Sequence, residues 1–210
     1  GERTMTATPG LVEQLRQRGF RNPVLWSRGV DTERFRPGAR DLLPGPGPRL
    51  LYVGRVAIEK NIEAFLRLAV PGAKYVIGDG PQREELERKY PGAVFLGYRH
   101  GEELARYLAA ADAFVFPSHT DTFGLVMLEA LACGVPVAAF PVQGPRDVIL
   151  SDKVGCLDED LGKAVAVALT LNRDDCRQYA LGYTWDHCAR LFERQLAPIV
   201  RPLAVSMPAV

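Results

Sequence analysis

The chain has 210 residues, of which 47% are hydrophobic and 24% are charged, and its formal net charge is +1. This composition is typical of a globular protein, and the near-neutral charge argues against a broad surface for nucleic acid or another polyanion. No apolar run is long enough to cross a bilayer, and no signal peptide is present. The four cysteines show neither CxxC spacing nor a metal-type pairing with the three histidines. We therefore expect reduced thiols in the cytoplasm, without a disulfide framework or a metal centre.

The amino-terminal part of the chain has a pattern of its own. The chain starts with Gly1 rather than Met, in a stretch that reads as part of a helix, and we interpret it as a fragment of a longer protein. A helix is predicted over residues 11–18 and a short strand over residues 24–26, with an extended link after Gly29. We expect residues 1–40 to be the tail of a preceding domain together with an interdomain link.

The central part, residues 41–197, alternates short apolar runs with helical patterns after a proline- and glycine-rich loop at residues 44–48. The runs are continuous rather than alternating, as expected for strands with both sheet faces covered. This alternation predicts an α/β fold, a Rossmann-like, doubly wound parallel sheet with helices on both faces. Ligands of such sheets bind at the carboxyl ends of the strands. The predicted strands are residues 50–53, 74–77, 94–96, 113–116 and 135–140.

Amphipathic helices are predicted between these strands and after the last one. A terminal helix at residues 184–196 begins with Thr184, a favourable N-cap residue. Beyond it, residues 198–210 have no periodic pattern, which predicts a flexible tail. Apolar residues recur at the helical spacing i, i+3, i+4, i+7 in two further helices, around Ile62, Phe65, Leu66 and Ala69 and around Leu104, Tyr107, Leu108 and Ala111.

The most informative segment is residues 114–136, which reads as a buried strand, a polar turn and a helix that is apolar on almost every face. This helix contains one charge, Glu129, and Asp121 lies in the preceding turn. A carboxylate in apolar surroundings needs a hydrogen-bond donor, and no basic residue occurs in the segment. We therefore expect a hydroxyl-rich ligand at Glu129. The alternative is that Asp121 or Thr122 caps the helix and Glu129 lies on a solvent-exposed strip.

The start of this helix is also a candidate anion site. Free backbone amides at a helix start, together with the helix dipole, favour a phosphate, and Gly124 leaves room for its approach. The amides in question belong to Phe123, Gly124, Leu125 and Val126.

Two cations follow the first core strand and its small terminal residue, Gly54. Arg55 and Lys60 are positioned to converge on one diphosphate, although they are also compatible with ordinary surface charge. The next strand ends in Gly78-Asp-Gly-Pro81, which we interpret as a tight turn with Pro81 at the first helical position. His100 and His119 lack the neighbours that nucleophilic or metal catalysis needs.

These motifs, taken in order, resemble GT-B glycosyltransferases, and specifically the retaining family 4, the "glycosyl transferases group 1" proteins. The resemblance covers about residues 20–197. It implies that the chain is the C-terminal, donor-binding half of a GT-B fold, with an acceptor-binding domain before Gly1. The motifs that support it are Gly54-Arg55…Glu59-Lys60-Asn61, Gly78-Asp79-Gly80-Pro81, Leu96-Gly97-Tyr98, Ala111-Asp112…Pro117-Ser118 and Asp121-x-Phe123-Gly124…Glu129-Ala130…Gly134-Val-Pro136.

The resemblance also implies roles for individual residues. Arg55 and Lys60 match the pair that neutralises the donor diphosphate, and Asp121 matches the acid that touches the transferred sugar. We assign these three as catalytic. The remaining donor-binding positions are Gly54 at the strand end, the amides of Phe123, Gly124, Leu125 and Val126 around the phosphate, Glu129 at the ribose, and Tyr98 and Arg99 at the base.

Two departures from the family pattern affect the expected site. Asp121 stands where Glu is usual, so the donor preference of relatives does not transfer to this chain. Residues 141–147 replace a glycine pair followed by Glu, and Asp147 is the candidate substitute for that acid.

In function, the resemblance implies transfer of a sugar from a nucleoside-diphosphate sugar to an acceptor hydroxyl, with retention and without a metal, another cofactor or a protein nucleophile. The acceptor is a lipid, a saccharide or a small metabolite bound by the preceding domain, and no nucleic acid is involved. The full-length enzyme is expected in the cytoplasm or peripherally at the inner membrane face, and this fragment alone is expected to be inactive. The alternatives are a sugar-nucleotide epimerase, a phosphorylase or a non-catalytic binding module, and the base stays open among uridine, guanosine and adenosine.

Overall fold

The computed structural model describes residues 3–121 and 123–196, so the tail predicted at residues 198–210 and the capping role considered for Thr122 lie outside the described residues. In the described part, a six-stranded sheet of parallel strands forms the centre, and a two-stranded parallel sheet lies beside it. The strands are β1 (Thr4–Thr6), β2 (Pro23–Leu25), β3 (Arg49–Val53), β4 (Ala73–Ile77), β5 (Ala93–Gly97), β6 (Ala113–Phe116), β7 (Val137–Ala139) and β8 (Gly155–Leu157).

The central sheet has the strand order β5-β4-β3-β6-β7-β8, and every neighbouring pair is parallel. The chain therefore builds outward from β3 in one direction and then from β6 in the other. This is a doubly wound sheet, and its topological switch point lies between β3 and β6. The predicted fold class is confirmed.

Helices cover both faces of this sheet. Two buried clusters, one on each face, form the core; α4, α5 and α8 contribute to the first, and α2, α3 and α7 to the second. The helices are α1 (Pro9–Gln17), α2 (Ile62–Leu66), α3 (Arg83–Lys89), α4 (Gly101–Ala110), α5 (Leu125–Ala132), α6 (Gln143–Val148), α7 (Leu161–Ala168), α8 (Arg173–Ala180) and α9 (Trp185–Gln195), with short 3-10 helices at Ile58–Lys60 and Leu181–Tyr183.

The first thirty residues pack against the end of the described chain. The backbone N–H of Val30 donates to the carbonyl of Tyr183 at 2.7 Å, and Val30 forms a parallel bridge with Thr184. Thr184 caps α9 as predicted, because its side chain accepts a hydrogen bond from the backbone N–H of His187. A side chain at Gly29 would not fit, since a Cβ there would lie 2.7 Å from the Cα of Trp185. The segment that follows β2 is thereby fixed to α9.

Several predicted boundaries were wrong. The described part of the chain does not begin within a helix, since β1 occupies Thr4–Thr6. The helix around Ile62 ends at Leu66 and does not reach Ala69, because Pro71 disfavours helical conformation just before it. Pro81 does not start a helix, since α3 begins two residues later, after its N-cap residue Gln82.

The predicted strand at residues 135–140 is shorter in the structure, where β7 spans Val137–Ala139. The N–H of Val135 is used by the end of α5, where it donates to the carbonyl of Ala130 at 2.9 Å, and Pro136 has no N–H to donate.

Candidate functional site

A cavity of about 450 Å³ opens at the switch point of the sheet, where β3 and β6 end. It contains most of the predicted site residues. The described lining residues are Arg28, Tyr52, Val53, Gly54, Arg55, Lys60, Phe116, Asp121, Phe123, Gly124, Leu125, Val126 and Glu129.

The loop after β3 is held by the turn that follows β4. The N–H of Gly54 donates to Ile77 and that of Val56 donates to Asp79, both at 2.9 Å. The two loops approach so closely that a Cβ at Gly78 would lie 1.9 Å from the carbonyl oxygen of Gly54. The Gly78-Asp-Gly-Pro81 turn is thus structural, as predicted, and it supports the wall of the cavity.

Tyr52 stabilises the loop after β3 through its hydroxyl group. Its hydroxyl donates to the carbonyl of Arg55 at 3.0 Å, which fixes the backbone beside the cavity. Burial of the ring, and the nearby carboxylates of Asp121 and Glu59, raise the pKa of the Tyr52 hydroxyl. The hydroxyl therefore stays protonated as a donor at neutral pH.

Lys60 and Asp121 form an ion pair within the cavity wall. The Lys60 Nζ lies 2.8 Å from both carboxylate oxygens of Asp121, and the side chains are only 26% and 19% exposed. The backbone after Lys60 is fixed by Asn61, which adopts a left-handed conformation and donates its side-chain N–H to the carbonyl of Pro117. The predicted phosphate cation and sugar acid are therefore partners of each other in this structure.

Arg55 lies in the same wall but is more exposed. Its side chain is 63% exposed, and its Nη1 lies 3.5 Å from the Glu59 Oε1. Such an exposed pair contributes little to stability, so a stronger anion is able to displace Glu59. The structure thus brings Arg55 and Lys60 to one cavity, each with a carboxylate beside it.

The start of α5 faces this cavity with unpaired amides. Gly124 is the N-cap residue, with φ +79°, and no side chain accepts a hydrogen bond at this cap. Among the described residues, no backbone or side-chain acceptor meets the N–H groups of Phe123, Gly124, Leu125 or Val126. The alternative in which Asp121 caps α5 was wrong, since the Asp121 carboxylate contacts Lys60 instead.

Glu129 lies one turn further along α5, at the apolar side of the cavity. Its carboxylate makes no hydrogen bond or ion pair within the part of the chain that the structure describes. Burial raises the pKa of Glu129 to about 7, although the charge of Arg34 acts in the opposite direction. Glu129 is half-buried, so it does not lie on a fully exposed strip, and a ligand partner for it stays a prediction.

Three candidate positions lie away from the cavity. Tyr98 is 58% exposed and stacks on His100, and the Nε of Arg99 lies 2.9 Å from the Oε1 of Glu103. Asp147 accepts a hydrogen bond from the backbone N–H of Gly10 at 3.0 Å, at the start of α1. Base binding by Tyr98 and Arg99, and a ligand role for Asp147, stay predictions.

Two polar lining residues were missed by the sequence analysis. Arg28 comes from the segment that we interpreted as an interdomain link, where no strand or helix pattern drew attention to it. Tyr52 is the one polar-tipped side chain in the apolar run of residues 50–53, and this contrast was a usable signal.

His119 lies outside the described cavity wall. Its ring stacks on Phe140, with ring centroids 4.5 Å apart.

Three further features concern other classes of function. Within residues 3–121 and 123–196, no three His, Cys, Asp or Glu residues cluster in a way that would hold a metal ion. The cysteines Cys133, Cys156, Cys176 and Cys188 are all free thiols. None of the described helices has both the length and the apolar character needed to span a membrane.

Solved structures of sugar-transfer enzymes share this architecture. Sucrose-phosphate synthase from Thermosynechococcus elongatus is 28% identical, with a TM-score of 0.78 over 91% of this chain and 57% of that one. The lipopolysaccharide outer core galactosyltransferase WaaB superposes with a TM-score of 0.74 over 92% of this chain and 61% of the other at 19% identity, which shows the fold alone. Both support the predicted GT-B half.

Curated relatives are more similar in sequence. A GDP-mannose-dependent alpha-mannosyltransferase of Mycobacterium tuberculosis is 39% identical over 74% of this chain, and it is matched over 43% of its own length. The sulfoquinovosyl transferase of Arabidopsis thaliana is 40% identical over 62% of this chain and 28% of its own length. The chain thus spans less than half the length of these relatives.

The sequence profile of one family, described as glycosyl transferases group 1, matches residues 47–172. This range contains β3 to β8, the α5 start and all the described cavity residues except Arg28. The resemblance inferred from the motifs is confirmed, and the chain belongs to the glycosyl transferases group 1 family.

Proposed function

We propose that this chain is the donor-binding domain of a retaining glycosyltransferase and that its cavity binds a nucleoside-diphosphate sugar. The observation that supports this most strongly is the combination at the switch point of cations, open helix amides and a carboxylate without a partner. An anion and a hydroxyl-bearing group on the same ligand would satisfy all of them. A nucleoside diphosphate has both.

The diphosphate would lie between the loop after β3 and the start of α5. Arg55 would give up Glu59 and present its planar guanidinium fork to one phosphate. The four amides from Phe123 to Val126 would receive the other, with the helix dipole adding to their attraction. Gly124 has a φ of +79°, and a Cβ there would lie 2.6 Å from the Met127 Cε. A side chain at this position would therefore be strained and would crowd the start of α5.

The ribose would lie deeper, at Glu129. A carboxylate accepts hydrogen bonds from two vicinal hydroxyls at once, and the pair would replace the hydration that Glu129 has lost through burial. Hydrogen bonds to the charged form lower a carboxyl pKa. Donor binding would therefore ionise Glu129 and release a proton near neutral pH.

The ion pair between Lys60 and Asp121 would be rearranged by the donor. The diphosphate is the stronger competitor for Lys60, since it brings more negative charge than one carboxylate. Once released, Asp121 would accept a hydrogen bond from a hydroxyl of the sugar to be transferred. In this exchange, the Asp121 carboxylate pairs with Lys60 before the donor binds and with a sugar hydroxyl afterwards.

In the chemical step, the bond from the sugar to the diphosphate breaks while an acceptor hydroxyl attacks the same carbon from the same face and passes its proton to an oxygen of the leaving diphosphate. Negative charge grows on the leaving diphosphate, and Arg55, Lys60 and the α5 amides are in place to stabilise it. Preorganised charge of this kind is often the largest single contribution to an enzyme's rate. We propose that no metal and no protein nucleophile takes part.

For the donor itself, we propose a guanosine-diphosphate sugar, with mannose as the first candidate. The support is that the mycobacterial relative is a GDP-mannose-dependent alpha-mannosyltransferase. The acceptor would be a lipid, a saccharide or a small metabolite, bound outside this domain, without nucleic acid. We place the longer protein in the cytoplasm or at the inner face of the membrane.

The test is calorimetric titration of the 210-residue chain with GDP, UDP and ADP, without metal, on the parent protein and on Glu129→Ala. We expect selective binding of GDP that is lost in Glu129→Ala and retained in Glu102→Ala, an exposed glutamate of α4 that serves as the control. Selective binding of UDP or ADP would overturn the guanosine assignment and keep the domain assignment. Binding of none of the three would contradict the proposal.

A further inference from the structure

Among the described lining residues, Arg28 is the cation that has no carboxylate partner. Lys60 is paired with Asp121, and Arg55 is paired with Glu59. Arg28 makes no ion pair or hydrogen bond within residues 3–121 and 123–196, and its guanidinium lies over the ring of Trp26, 5.2 Å from the centroid.

The charge of the cavity wall depends on this residue. The two ion pairs are electrically neutral as they stand, so Arg55 and Lys60 attract an anion only after giving up their own carboxylates. The guanidinium of Arg28 has no such competitor. Because unpaired charge in a partly enclosed cavity attracts its counterion over a distance, Arg28 would provide the first attraction felt by an incoming anion.

The backbone on both sides of Arg28 is fixed. The Cys188 Sγ donates to the carbonyl of Ser27 at 3.0 Å, and the N–H of Val30 donates to Tyr183 at 2.7 Å. Gly29 lies against the backbone of Trp185, at a separation that leaves no space for a side chain. The segment that positions Arg28 therefore has little freedom, and the stacked guanidinium is preorganised beside the cavity.

We propose that Arg28 binds the diphosphate of the donor, as a third cation beside Arg55 and Lys60. This inference rests on the proposed function of the cavity. A guanidinium presents two parallel N–H groups that fit a phosphate, whereas the ribose site at Glu129 calls for a hydrogen-bond acceptor. The donor site is thus completed by a residue that lies outside the range matched by the family profile.

Titration with GDP and with guanosine distinguishes a contact of Arg28 with the phosphates from a contact with the nucleoside. We would titrate the 210-residue chain and its Arg28→Ala and Arg28→Lys variants with GDP and with guanosine. Arg28→Ala should weaken GDP binding about tenfold or more and leave guanosine binding unchanged, since only GDP has the charged group. Arg28→Lys keeps the charge but not the fork, and should recover part of the loss.

Arg21→Ala serves as the matched control, because Arg21 is an exposed arginine of the same amino-terminal segment. It should bind GDP like the parent chain. The melting temperature of each variant separates a lost contact from a lost fold, and Arg28→Lys keeps the test valid if Arg28→Ala melts early.

Three results would overturn the inference. If the parent chain binds GDP and Arg28→Ala binds it equally well, Arg28 does not touch the phosphates, while the proposed function of the cavity stands. If GDP and guanosine lose affinity to the same degree, Arg28 acts on the nucleoside or on the fold. If the parent chain binds none of GDP, UDP and ADP, the proposed function itself fails and the role of Arg28 fails with it.

Discussion

The two ends of α5 are built in opposite ways. At its C-terminal end, the Arg177 Nη1 donates to the carbonyl of Ala132 at 2.9 Å, and the N–H groups of Gly134 and Val135 pair with Leu131 and Ala130. At its N-terminal end, the amides from Phe123 to Val126 have no described acceptor.

This difference separates stability from binding within one helix. The amides at the open, N-terminal end are available to a ligand, whereas the carbonyls at the closed, C-terminal end are used within the chain. Arg177 also donates to Phe35 and Thr32 and so ties the preceding link to the helix. Changes at the open end should alter ligand binding and catalysis, and changes at the closed end should alter stability.

The largest effect is expected at the open end, for Lys60→Ala in the full-length protein. Loss of a preorganised charge on the leaving group should lower sugar transfer about 100- to 1000-fold, as removal of one such donor does elsewhere. The protein should still melt cooperatively. The measurement is kcat for donor turnover. The control is Lys89→Ala, whose ammonium pairs with Glu63 on α2, away from the cavity. Near-normal turnover of Lys60→Ala would contradict the assignment.

The closed end gives the next largest effect, for Arg177→Ala. Three carbonyls lose a charged donor, so the free energy of unfolding should fall by about 3 kcal/mol. Urea denaturation measures this change, with the exposed Arg190→Ala as the control. Affinity for the nucleotide should be unchanged in the folded protein. If Arg177→Ala had normal stability and weak nucleotide binding, the C-terminal end of α5 would serve binding rather than stability, contrary to our assignment.

A smaller effect concerns the pH dependence of stability at Glu129. Its pKa of about 7 in the folded protein lies above the ordinary 4.5, so folding favours the protonated carboxyl. The contribution of this group to the free energy of unfolding is fully present below its unfolded pKa and is lost as the pH rises through 7. We expect the free energy of unfolding to fall by about 2 kcal/mol between pH 5 and pH 8. Glu129→Gln should flatten that part of the profile in denaturation experiments at several pH values. If the pH dependence of the free energy of unfolding were the same in Glu129→Gln and the parent, ionisation of Glu129 would not lower the stability of the fold.

The smallest effect is expected for Tyr52→Phe, which removes a single hydrogen bond to the carbonyl of Arg55. We expect a loss of about 1 kcal/mol in stability and a few-fold weaker binding of the diphosphate, since the backbone before the cations is less well fixed. Calorimetry with GDP measures the second effect. Tyr90→Phe is the control, because it also removes one hydroxyl hydrogen bond, to Glu63, outside the described cavity wall. Equal affinities of Tyr52→Phe and the parent would contradict the supporting role of Tyr52.

Five of the six strands of the central sheet were predictable from the sequence, because they are short continuous apolar runs between helical patterns. The amino-terminal β1 and the last strand, β8, were not found. Each has three residues, too few for a periodicity to show. Helix α8 was equally hidden, since its sequence is mostly polar and only Cys176 and Ala180 are buried.

The candidate site was predicted well where it follows local sequence and poorly where it depends on packing. Gly54 and Arg55 directly follow β3, and α5 is the helix that follows β6, so the topology brings them together. The pairing of Lys60 with Asp121 joins residues 61 positions apart, and no local pattern indicates it. Arg28 lines the cavity from a segment that is held by the packing of Gly29 against Trp185, and a contact of that kind leaves no periodic signal in the sequence.

The attachment of residues 27–30 to α9 also sets the order of events during synthesis. Ser27 and Cys188 are 161 positions apart, and at 5–20 residues per second the ribosome needs roughly 8–30 s to make the chain between them. The sheet strands β3 to β8 are complete before Cys188 emerges. A nascent chain would therefore have Arg55, Lys60 and the α5 amides in place while Arg28 is still untethered, and the cavity would gain its unpaired charge last.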